Sequence, residues 1–107
     1  MAGATNEQVI RELRRLKRRL SQRLGVDRLI LFGSRARGQE LLTSDVDVVV
    51  VSEGFRETPF RRRHEKVLEL WPDLVDLEVL CYTPEEFDRL RQRVGIVKQA
   101  SQEGIEI

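Results

Sequence analysis

With 107 residues, the chain has room for one small core and little for a separate substrate-binding domain. Its 19 basic and 18 acidic residues nearly cancel, so net charge singles out neither nucleic acid nor a membrane as partner. One cysteine, Cys81, and one histidine, His64, exclude an intrachain disulfide and any Cys- or His-rich metal cluster.

Thr5 and Gln8 form a capping box. Val9, Leu13, Leu16, Leu20 and Leu24 then recur at steps of three and four, so a helix is predicted from Thr5 to Leu24, closed by Gly25. Its other faces carry a basic run from Arg11 to Arg23, read as a solvated face, with a partner- or nucleic-acid-binding face as the alternative. Leu29 to Phe32 is a short apolar run that predicts a buried strand, ended by Gly33-Ser34. Ser34 to Gly38 reads as a short helix or turn.

Val46 to Val51 predicts a second buried strand, interrupted by one charge, Asp47. Ser52 to Pro59 reads as a loop. Phe60 to Leu70 predicts a helix with Phe60, Val67, Leu68 and Trp71 as apolar contacts. Arg61, Arg62 and Arg63 are expected in solvent, as is His64. Leu74 to Cys81 predicts a third strand. Thr83, Pro84 and Glu86 mark a helix start, with Phe87, Leu90, Val94 and Val97 as its inner stripe. Gly104 to Ile107 predicts a terminal strand. Trp71 and Cys81 are expected in the core. No leader peptide is legible and no apolar run approaches the ~20 residues of a membrane span. The expectation is a single cytoplasmic α/β domain over residues 1–107.

The chemistry concentrates between Leu29 and Val51. Alternation along a strand turns Asp45 and Asp47 to one face, roughly 7 Å apart. Two carboxylates on an apolar strand repel each other and are costly to desolvate. A hard divalent cation relieves both penalties, and Mg²⁺ suits a few carboxylates plus substrate phosphates. Asp76, inside the third predicted strand, would complete a triad if that strand neighbours the second, and such a triad could hold two metals. Glu78 shares the face of Asp76 and competes with it, though a solvated rim position is the expectation for it. Gly33 permits close backbone approach to a phosphate, and Ser34 with the following amides can donate hydrogen bonds to its oxygens. Arg35 and Arg37 are candidates to neutralise a triphosphate, or are plain solvated turn residues.

The run Gly33-Ser34-Arg35-Ala36-Arg37-Gly38, a spacer, and Ser44-Asp45-Val46-Asp47 followed by valines resembles the signature of the polymerase-beta-type nucleotidyltransferase superfamily. The short length is similar to its minimal nucleotidyltransferase branch, often partnered with a HEPN-domain protein. The resemblance implies a small mixed sheet flanked by helices, with the active site at the sheet edge. It assigns Gly33, Ser34 and Ser44 to the nucleotide, Asp45 and Asp47 to both Mg²⁺ ions, and Asp76 to one metal and to acceptor activation. It further implies AMP transfer from ATP to a tyrosine on the HEPN partner, in a hetero-oligomer that acts as a toxin–antitoxin pair. The alternative is a binding module that neutralises the partner by occlusion, without catalysis.

Overall fold

The computed structural model describes residues 3–107. The first helix, α1, spans Asn6–Arg23. Thr5 caps it through the reciprocal bonds with Gln8, and Gly25, at φ +75°, follows its C-cap Leu24. Its stripe of Val9, Leu13, Leu16 and Leu20 is fully buried. Each such leucine contributes about 1.5–3 kcal/mol relative to an exposed one.

Strands β1 (Arg28–Phe32) and β2 (Val46–Val51) are antiparallel neighbours, with Phe32 opposite Asp47. Residues Gly33 to Gly38 form hydrogen-bonded turns and no helix, so the chain doubles back directly from β1 to β2. After β2, a 3₁₀ turn at Glu53–Phe55, capped by Ser52, drives Phe55 into the core. Helix α2 (Phe60–Leu68) then leads to β3 (Leu77–Tyr82), which pairs parallel with β2. Helices α3 (Pro84–Leu90) and α4 (Ile96–Glu103) follow, and β4 (Ile105–Glu106) closes the sheet beside β1. The strand order is β3-β2-β1-β4, a mixed four-stranded sheet.

Alternation sorts the core into two layers. Leu29, Leu31, Val46, Val48 and Val50 face α1 and Val67 of α2. Ile30, Val49 and Val51 face Phe87 of α3 and Val97 and Ala100 of α4. Helices thus cover both faces of the sheet, as expected for an α/β fold.

Two predicted elements and one predicted contact differ. The third strand begins at Leu77 rather than Leu74, because a turn through Pro72 (Leu74 N–H to Pro72 C=O, 2.9 Å) holds the preceding residues out of the ladder. Asp76 therefore precedes the strand, although its carbonyl accepts from Val46 N–H at 2.9 Å. The last helix splits at Gly95, whose φ of +148° no helix accommodates, and Val94 is 96% exposed instead of buried. Phe60, predicted as an apolar contact, is 55% exposed.

Candidate active site

The site begins where β1 ends. Gly33 turns the chain at φ +77°, a left-handed conformation that favours glycine. A Cβ at this position would overlap Asp47 Oδ2 and stand 3.1 Å from Asp47 Cγ. Glycine is thus required twice, by its backbone angle and by the close approach of the acid. The turn closes through Ala36 N–H to Gly33 C=O (3.1 Å) and Gln39 N–H to Ser34 C=O (3.0 Å). Among the described residues, the N–H groups of Ser34 and Arg35 donate to no protein acceptor. They are open donors at the head of the turn.

The two arginines of the turn separate. Arg37 is exposed, and its positive charge favours the ionised form of Asp47. Arg35 is only 1% exposed. Its Nε donates to Ser44 C=O, Nη1 to Ala4 C=O and Asn6 Oδ1, and Nη2 to Leu42 C=O and Ser44 C=O. All five guanidinium donors are committed. Both readings of the Arg35 side chain, a phosphate contact or a solvated turn residue, are corrected: it is buried and ties the start of α1 to the loop before β2. Ser44 serves the same loop, with its carbonyl on Arg35 and its Oγ accepting from Leu41 N–H at 2.8 Å.

Asp47 shares the face of Val49 and Val51 and is half-buried, whereas Asp45, just before β2, is exposed. Its register partner on β3 is Glu78, not Asp76. Asp76 is exposed and borders, with Asp45 and Glu78, an open cavity of about 530 Å³ that Trp71 and Asp73 also line. Burial pushes the Asp47 carboxyl up from 3.8 to about 6; a hydrogen bond with Glu78 and the charges of Glu78 and Asp45 add to this, and Arg37 opposes it. The site thus has a surplus of negative charge built from oxygen donors alone, the donor set a hard cation such as Mg²⁺ takes. Among the described residues, no three His, Cys, Asp or Glu side chains are already grouped to hold one ion.

Glu78 is the residue that sequence reasoning undervalued. No pattern within the third strand marks it: only the parallel register of β2 and β3 sets it beside Asp47. Arg63 was also misplaced. It sits on α2 three residues after Phe60 and four before Val67, and is buried with its guanidinium on Thr58 C=O, Cys81 C=O and Glu86. Cys81 is in the core as expected, and burial pushes its thiol up to about 12, so it is no nucleophile.

Residues 13–107 match the family described as nucleotidyltransferase domain. The chain belongs to this family. Among solved structures, it is similar to a Sulfolobus solfataricus protein assigned as a nucleotidyltransferase, at 25% identity and TM-score 0.62, covering 99% of this chain and 89% of that one. Two Arabidopsis thaliana structures share the fold alone. BolA1 is 23% identical with TM-score 0.53 over 68% of this chain and 92% of its own. The BolA domain of SufE1 is 21% identical with TM-score 0.52 over 71% and 94%. No curated protein matches the chain. Nucleotidyl transfer is the class of chemistry this nucleotidyltransferase domain supports. Among the described residues, no helix is long and apolar enough to cross a membrane.

Proposed function

We propose that this nucleotidyltransferase-domain protein transfers AMP from ATP to a hydroxyl on a partner protein, with Mg²⁺ as cofactor. The observation that carries the reading is the contact between the Gly33 turn and Asp47. It sets open backbone donors for phosphate against the acids that would hold the cation. Asp45 and Asp47 would hold Mg²⁺, with Asp76 or Glu78 as the third acid. When bound, the ion would neutralise phosphate charge and the carboxylates together.

The protein's own groups divide the remaining work. The N–H groups of Ser34 and Arg35 donate to phosphate oxygens, and Arg37 adds a positive charge beside them. A carboxylate oxygen of Asp76 accepts the proton of the acceptor hydroxyl. The new bond joins the acceptor's hydroxyl oxygen to the α-phosphorus, the α–β phosphoanhydride bond breaks, and pyrophosphate leaves. The Arg35 side chain orients the loop and leaves the nucleotide to its backbone N–H.

A macromolecular acceptor is supported by Leu41 and Leu42, 72% and 60% exposed in the loop just before Asp45. Large apolar side chains left exposed three and four residues before Asp45 suit a protein surface better than a small polar acceptor. A HEPN-domain partner, in a toxin–antitoxin pair, is the reading that the resemblance of the chain's Gly33–Asp47 motif favours. The experiment is incubation of the chain with that partner, Mg²⁺ and ATP, followed by intact-mass analysis. The partner gains one AMP with the wild-type chain and none with Asp47→Asn. Equal labelling by that variant refutes the mechanism. Neutralisation of the partner that persists in an Asp45→Asn/Asp47→Asn double variant favours occlusion instead.

A further inference from the structure

A second pocket lies at the other end of the sheet. It has a volume of about 390 Å³ and is lined by Phe60, Tyr82, Glu86, Arg89, Leu90 and Arg93. Tyr82 ends β3, four residues beyond Glu78, or about 13 Å along the strand. The pocket shares no lining residue with the acidic cavity.

One wall is aromatic and fixed. The rings of Phe60 and Tyr82 lie 5.6 Å apart between centroids. The Arg63 guanidinium stands 5.5 Å from the Phe60 centroid and is itself anchored by Thr58 C=O, Cys81 C=O and Glu86. Phe60 is thus held from behind yet is 55% exposed in front. A half-exposed ring that is already immobilised loses little entropy when a planar group stacks on it.

The other wall is cationic and uncompensated. The acids of α3 are committed elsewhere: Glu85 to Arg56, Glu86 to Arg63 and Asp88 to Arg91. Arg89, near the end of α3, and Arg93, in the turn that follows it, both line the pocket and have no ion-pair or hydrogen-bond partner for their guanidinium groups among the described residues. The N-terminus of α2 begins at Phe60 itself, with no side-chain cap and no acid in its first turn. Its positive end therefore adds to the two arginines.

We infer that this pocket binds a mononucleotide, its base stacked on Phe60 and its phosphate held by Arg89 and Arg93. A bare anion would leave the aromatic wall unused, and an apolar ligand would bury two unpaired cations. The volume falls within the range of small-ligand pockets. This site is independent of the nucleotidyl-transfer reading, because it uses none of the same residues.

The test is amide and arginine side-chain NMR of the full ¹⁵N-labelled chain, titrated with AMP in EDTA so that no divalent cation assists the acidic site. Saturable shifts at Phe60, Tyr82, Arg89 and Arg93 are expected, with binding weakened at least about tenfold in an Arg89→Gln/Arg93→Gln double variant. Both arginines are exposed, and the variant's own spectrum reports its fold. Inorganic phosphate alone should bind more weakly and leave Phe60 unmoved. Shifts confined to residues 33–47, no shifts at all, phosphate competing as well as AMP, or unchanged affinity in the double variant would each overturn the inference.

Discussion

Asp47 and Glu78 stand side by side on the parallel strands β2 and β3, and Asp47 holds its proton to about pH 6 in consequence of its burial and of that neighbour. The ordinary value of the group is 3.8, so between the two the folded chain binds more protons than the unfolded chain. The contribution of this carboxyl to stability is therefore full below pH 3.8 and is lost as pH rises through about 6. Thermal unfolding in EDTA on either side of pH 6 should show the wild-type midpoint falling more steeply than that of Asp47→Asn. Parallel profiles would mean that Asp47 is not destabilised by its neighbours.

The same repulsion predicts a cation effect. Mg²⁺ that binds only the folded chain raises the unfolding midpoint by mass action. Above pH 6, where Asp47 is ionised, added Mg²⁺ should stabilise the wild type and do nothing for an Asp45→Asn/Asp47→Asn variant. An equal shift in both would place the cation elsewhere.

Gly33→Ala should damage both fold and site. The left-handed backbone costs a side-chain-bearing residue about 1–2 kcal/mol, and the new methyl displaces Asp47. Denaturant unfolding should register the loss, and transfer activity should fall by more than stability alone explains. A fully active variant would show that the Gly33–Asp47 contact is incidental.

Arg35→Lys retains the charge but offers three donors where five are used. Three donors cannot meet all four acceptors, the carbonyls of Ala4, Leu42 and Ser44 and Asn6 Oδ1, and the expected loss is on the order of 3 kcal/mol. If Arg35 acted on phosphate instead, the lysine variant would keep its stability and lose nucleotide affinity. Denaturant unfolding beside nucleotide binding separates the two.

The third acid is decided by comparing Asp76→Asn with Glu78→Gln. Asp76 faces the open cavity with Asp45, whereas Glu78 abuts Asp47. With Asp76 as the proton acceptor, Asp76→Asn should reduce kcat by about 10²–10⁴-fold and leave KM for ATP nearly unchanged. Glu78→Gln should mainly lower the Asp47 pKa and shift the pH profile to the acid side. The reverse pattern reassigns the role to Glu78.

Much of this was legible in the sequence for a definite reason. The α1 stripe, its capping box, the valine-rich β2 and the glycine-serine turn are local patterns, and each is decided within a few residues. What escaped depends on contacts distant in sequence. Arg35 looks like a turn residue until its partners Ala4, just before α1, and Asn6, its first residue, arrive. Glu78 becomes a neighbour of Asp47 only through the parallel register, which no pattern within β3 specifies. The strand start at Leu77 and the break at Gly95 were missed because apolar periodicity runs through both, while Pro72 and a glycine at φ +148° interrupt the backbone.

Titration calorimetry with a non-hydrolysable ATP analogue tests the central claim most directly, because it needs no acceptor. Binding to the wild-type chain should require Mg²⁺ and disappear in both EDTA and the Asp45→Asn/Asp47→Asn variant, with the fold of that variant intact. Binding that is equally tight without Mg²⁺, or that survives loss of both carboxylates, would contradict it.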